Sequence, residues 1–129
     1  MSPRILVVDD DASICKIYKI MLTRLGYDAT TVNTGEEGVR VYTDALKSAT
    51  PFRVVILDLT LGEGMNGLET LGRLRELDPA VCALASSGSS SHTVGDAYLE
   101  HGFKGAVLKP FRFQDVARCL DNLIGKPPA

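Results

Sequence analysis

The chain has 129 residues, 45% hydrophobic and 23% charged, with a formal net charge of −2 from 14 basic and 16 acidic residues. This size and composition suit one globular domain whose core needs no staples. The charge balance excludes a general pull toward nucleic acid or anionic membrane. No run is apolar enough to span a bilayer, and Cys15, Cys82 and Cys119 are too scattered for a zinc knuckle or disulfide framework.

Strand and helix signals alternate along the whole chain. Arg4 to Asp9 has the continuous apolar run of a buried strand. Ile14, Ile17, Tyr18, Met21, Leu22 and Leu25 follow at helical spacing, and Gly26 stands where a helix stop belongs. Tyr27 to Val32 reads as a second strand. Thr34 and Glu37 then have capping-box spacing for a helix to about Ala49. Pro51 breaks the chain before a third strand, Phe52 to Asp58. After the glycine-rich loop from Gly62 to Gly67, Asn66 and Glu69 cap a third helix to about Leu77.

Val81 to Ser86 predicts a fourth strand, and a polar turn leads into a helix ending near His101, with Gly102 as its stop. Phe103 to Leu108 predicts the fifth strand. Val116, Leu120, Leu123 and Ile124 mark the last helix, and residues 125–129 read as a tail or linker. Five β-α repeats predict a parallel sheet with helices on both faces, as one domain over 1–129 with its core at about 4–124. Met1-Ser2-Pro3-Arg4 runs at once into the first strand, so no signal peptide is expected. Reduced, buried thiols then predict a cytoplasmic protein with no membrane contact.

In open parallel sheets, ligands collect at the carboxyl ends of the strands. Here strand one ends at Asp9 and Asp10, strand three at Asp58, strand four at Ser86-Ser87-Gly88 and strand five at Lys109-Pro110. Carboxylates crowded at the edge of a core repel one another unless a cation compensates them. Two of them with backbone oxygens and water suit Mg²⁺, and a third beside the ion can attack phosphorus. A lysine and a serine can then neutralise and hydrogen-bond the arriving phosphoryl oxygens. Asp11 is read as a helix cap. Ser86 and Ser87 face opposite ways on a strand, so only one faces the pocket; Ser87 is chosen. His92 and His101 lack metal-ligand partners, and the glycine-rich loop lacks the lysine of a nucleotide-binding P-loop.

Four motifs, Val8-Asp9-Asp10-Asp11, Ile56-Leu57-Asp58-Leu59-Thr60, Ser87-Gly88 and Leu108-Lys109-Pro110-Phe111, each end the appropriate strand. In that order the chain resembles the receiver domain of two-component response regulators, from about Arg4 to Ile124. The resemblance implies a doubly wound (βα)5 flavodoxin-like three-layer sandwich with strand order 2-1-3-4-5. It implies Asp58 as phosphoacceptor, Asp10 as a direct Mg²⁺ ligand, Asp9 as a ligand mainly through water, and the Thr60 backbone carbonyl as a further ligand. Ser87 takes the switch hydroxyl position, and Lys109 pairs with Asp58 and then with the phosphate. Implied partners are a histidine kinase or phosphotransfer protein and an effector the sequence does not name. The helix ending near His101 and the fifth strand are the implied surfaces for a homodimer.

Two departures stand out. Ala106 occupies the position three before the lysine, where the family usually carries an aromatic switch residue. Gly62 replaces a common proline, and the loop to Gly67 is one residue longer than usual, a pattern similar to receivers of hybrid sensor histidine kinases. These departures motivate an alternative, a receiver-like interaction module that works without phosphorylation. A second rival, an aspartyl-nucleophile phosphatase, needs another aspartate that Asp58-Leu59-Thr60 lacks. The chain is therefore expected to catalyse only its own phosphorylation and dephosphorylation.

Overall fold

A computed structural model describes residues 3–59, 65–88, 102–109 and 112–124, with backbone alone for Ser87, Gly88, Leu108 and Lys109. Its elements run β1 (Arg4–Val8), α1 (Ala12–Arg24), β2 (Asp28–Val32), α2 (Gly35–Leu46), β3 (Phe52–Asp58), α3 (Gly67–Leu77), β4 (Ala83–Gly88), β5 (Gly105–Lys109) and α4 (Phe113–Ile124). The helix expected to end near His101, the Thr60 carbonyl, the Pro110-Phe111 end of the last motif and the tail lie outside the described residues.

All five strands are parallel, in the order β2-β1-β3-β4-β5. This is the flavodoxin-like α/β fold. The chain leaves β1 toward β2 on one side and returns to β3 on the other. That reversal opens a crevice at the carboxyl ends of β1 and β3.

Strand alternation divides the core in two. Ile5, Val7, Val54, Ile56, Leu84 and Val107 meet Tyr18 and Leu22 of α1 and Val116 and Leu120 of α4. Leu6, Val8, Val55, Leu57, Ala83 and Ala85 meet Tyr42 and Ala45 of α2 and Leu71 and Leu74 of α3. The buried stripe of α1 is Cys15, Tyr18 and Leu22. Ile17, expected on that stripe, is 41% exposed, because it lies roughly 100° around the helix from Tyr18.

Several element ends differ from expectation for local hydrogen-bonding reasons. Helix α1 closes in a Schellman arrangement, with Gly26 N–H donating to Thr23 and Tyr27 N–H to Leu22. Gly26 supplies the positive φ of 95° this requires, and Tyr27 is thereby held out of β2. Helix α2 stops at Leu46, short of Ala49, because the Ser48 hydroxyl donates to the Ala45 carbonyl and accepts from Thr50 N–H. Strand β4 starts at Ala83 because Asp78 to Val81 form a turn closed by Val81 N–H on the Asp78 carbonyl. The Asn66–Glu69 capping box of α3 is present in both directions.

Candidate functional site

β1 and β3 are neighbours, with Val8 paired to Leu57, so the residues that follow emerge side by side. Asp9 is 1% exposed and Asp58 is 2% exposed, while Asp10 is exposed. One carboxylate oxygen from each of the three lies within 4.8 Å of the others.

The β1–α1 turn that presents Asp9 is held from several directions. Asp9 Oδ1 accepts the Asp11 N–H at 2.9 Å. The Asp9 carbonyl accepts from the Cys15 thiol at 3.3 Å and from Asn33 Nδ2 at 3.2 Å. Asp11 is the N-cap of α1, accepting from Ser13 N–H at 2.8 Å and Ile14 N–H at 3.3 Å. The acidic run thus divides between one cap and two carboxylates of the cluster.

The donor set fits a hard divalent cation. Three carboxylate oxygens within 4.8 Å of one another, joined by backbone oxygen and water, are the kind of donor set such an ion takes.

The ladder extends the site across the sheet. Asp58 is paired with Ser86, Ser87 with Leu108, and Gly88 with Lys109. The backbones of Ser87 and Lys109 therefore sit at the same carboxyl edge, one and two strands from Asp58.

Comparison with known proteins agrees with this geometry. The response regulator receiver domain family matches residues 5–121. The chain belongs to the response regulator receiver domain family. It is 31% identical over 126 residues to a chemotaxis protein CheY homolog of Campylobacter jejuni, covering 95% of this chain and 92% of that protein. It is 29% identical over 120 residues to the transcriptional regulatory protein ZraR of Escherichia coli, spanning 93% of this chain but only 26% of that regulator. A receiver domain structure from Clostridium thermocellum superposes with a TM-score of 0.84 at 24% identity, covering 95% of this chain and 94% of that one. Among the described residues no helix is long and apolar enough to cross a membrane.

Residues to which the strand-end motifs gave no role also pack around the acidic cluster of this receiver. The Ser86 hydroxyl meets α1: it is 3.0 Å from that of Tyr18, which is fully buried on that helix. The signal was a tyrosine within an apolar stripe, whose hydroxyl needs a partner when buried. Burial pushes the Tyr18 hydroxyl pKa well up, the Ser86 bond opposes this, and the Asp9 and Asp58 charges add to it, so Tyr18 stays protonated. Gly67 starts α3 directly beneath the site; a Cβ there would stand 2.5 Å from the Asp58 carbonyl oxygen and 2.8 Å from the Leu59 Cα. At the far end of the β3–α3 loop, Glu36 Oε2 accepts the Met65 N–H at 3.2 Å.

Proposed function

We propose that this receiver takes a phosphoryl group onto the Asp58 carboxylate from the phosphohistidine of a histidine kinase or phosphotransfer protein. The observation that carries the reading is the convergence of Asp9, Asp10 and Asp58 at the crevice of a receiver fold. An Asp58 oxygen forms the new bond to phosphorus. The P–N bond to the donor imidazole breaks, and the ring nitrogen keeps the electron pair. Hydrolysis of the resulting acyl phosphate returns the carboxylate and inorganic phosphate.

Asp10, Asp9 and the Thr60 carbonyl are the residues we assign to Mg²⁺, with Asp58 itself as a further ligand. When bound, Mg²⁺ neutralises the carboxylates and the incoming phosphoryl oxygens. Lys109 supplies a second positive charge to the Asp58 carboxylate and then to the phosphate, and Ser87 donates its hydroxyl to a phosphoryl oxygen. The chemistry is positioning and charge neutralisation, with no base required. The phosphorylated state shifts a conformational equilibrium, and an effector protein binds the favoured conformation. We read residues 4–124 as a single receiver domain and 125–129 as its tail or linker.

Incubation with Mg²⁺ and acetyl phosphate is expected to add one phosphoryl group to the wild type. Asp58→Asn, or chelation of the metal, is expected to abolish uptake, as read by intact mass. No uptake from either acetyl phosphate or a cognate kinase would overturn the reading. Ala106 favours the phosphorylation-independent alternative: its half-buried methyl packs on the α2/α3-side core where an aromatic switch would sit. Equal effector binding by wild type and Asp58→Asn would decide for that alternative.

A further inference from the structure

Three constraints meet at Ser86. Its side chain is bonded to Tyr18, which ties the end of β4 to α1. It is the ladder partner of Asp58, and its carbonyl accepts the N–H of Leu59 at 3.0 Å, immediately after Asp58. Its chain neighbour is Ser87, paired with Leu108 on β5.

Packing alone does not ask for two hydroxyls here. Tyr18 lies among Ile5, Val7, Val54, Ile56, Leu84 and Val107, and apolar side chains would fill the same layer. A buried hydroxyl is unfavourable unless bonded, so each member of the pair makes the other necessary. Helix α1 is itself fixed at its amino end by Asp11, whose N–H is bonded to the Asp9 carboxylate. One rigid helix thus spans from a carboxylate of the acidic cluster to the strand beside Asp58.

We propose that Tyr18 and Ser86 are positioning residues for phosphoryl transfer, their hydroxyl pair fixing the end of β4 to α1 and so holding Asp58 in place relative to Asp9 and Asp10. The proposal rests on Asp58 being the phosphoacceptor. Neither side chain touches the phosphoryl group; both act through the ladder. Loss of the bond lets the β4 end drift, and transfer is sensitive to small displacements of the attacking oxygen.

The test is the rate constant for phosphorylation by acetyl phosphate at saturating Mg²⁺, with Mg²⁺ affinity measured separately. Wild type, Tyr18→Phe, Ser86→Ala, the double variant and Ser86→Thr are compared at a temperature where circular dichroism shows each folded. Tyr18→Phe and Ser86→Ala are each expected to slow phosphorylation about fivefold, the rate equivalent of about 1 kcal/mol. The double variant should lose no more than either single one, and Ser86→Thr, which keeps the hydroxyl, should stay within about twofold of wild type. Because Asp58 is also assigned to the ion, Mg²⁺ affinity should weaken where the bond is lost and stay at its wild-type value in Ser86→Thr, while the rates are compared at saturating Mg²⁺. A purely structural role would lower the melting temperature without moving the rate of the folded protein. Wild-type rates in Tyr18→Phe and Ser86→Ala, or losses that multiply in the double variant, would overturn the proposal alone. Failure of the wild type to take up phosphoryl, or equal uptake by Asp58→Asn, would overturn the phosphoacceptor reading and the proposal with it.

Discussion

The two faces of the sheet begin with the same apolar rows and end differently. Toward α1 and α4, the rows Ile5-Val7, Val54-Ile56 and Leu84 continue at the same parity into Asp9, Asp58 and Ser86. Toward α2 and α3, the alternate rows finish in Val8, Leu57 and Ala85, all buried. Because side chains alternate every residue, a slip of one position would exchange these ends and put the carboxylates under α2 and α3. The site is therefore a property of strand register, and apolar packing on the α2/α3 face helps to hold that register. Polar contacts on that face lie mostly at its rim: Tyr42 with Asp78, Asn66 with Glu69, and Arg40 with Glu37 and Asp44.

The largest effect on this comparison is expected where the α2/α3 face reaches under the site. Gly67→Ala places a Cβ against the Asp58 carbonyl and the Leu59 backbone, atoms that cannot rotate away. Either α3 or the end of β3 must move, with an expected loss of about 1–3 kcal/mol. Phosphorylation should fall along with stability, since the displaced backbone carries Asp58. Urea unfolding and acetyl phosphate uptake measure the two. A stable Gly67→Ala protein with normal uptake would show that the α2/α3 face does not support the site.

Much of this was legible in the sequence because it depends on periodicity and strand ends. The continuous run before Asp9, the run before Asp58 and the helical spacing of Val116, Leu120, Leu123 and Ile124 specify directly which residues pack on the core, Leu123 and Ile124 at its margin. Element ends were less legible, since they depend on hydrogen bonds such as that of Ser48 with Ala45 or Tyr27 with Leu22, which compete locally with helix and strand. Ile17 was misplaced because three-and-four spacing admits residues at the edge of a stripe, and only packing against the sheet decides which are covered. The Tyr18–Ser86 pair could not be read because its members are separated by 68 positions. Gly67 read as the end of a glycine-rich loop, whereas its small size serves a close approach that only the fold creates.

A middle-sized effect should separate the faces by function. Tyr42 on α2 donates its hydroxyl to Asp78 Oδ2 at 2.6 Å, linking α2 to the end of α3. Tyr42→Phe is expected to cost about 1.5 kcal/mol, the low end for a hydrogen bond to a charged group because Asp78 stays partly solvated, while leaving the phosphorylation rate intact. The same bond gives a pH dependence. Burial first, then the Asp78 bond and charge, raise the Tyr42 pKa above its ordinary value of 10.0. Folded tyrosine keeps its proton while unfolded tyrosine ionises, so this stability is complete below pH 10 and declines as pH rises beyond it. Tyr42→Phe should flatten that alkaline decline in thermal melts. A change in phosphorylation rate would instead couple the α2/α3 rim to the site.

The smallest effect is expected at the outermost polar contacts of α2. Arg40 stands 3.7 Å from Glu37 and 3.7 Å from Asp44, three and four residues away, with its own side chain 63% exposed. Water screens both pairs, and holding three long side chains in place opposes the attraction. Arg40→Ala should therefore change unfolding stability by less than about 0.5 kcal/mol, with alanine's helix propensity offsetting part of any loss. Uptake of phosphoryl should be unchanged. A loss above about 1 kcal/mol would mean these pairs act as a network. The division between a polar site face and a face held by apolar packing would then need an electrostatic contribution on both sides.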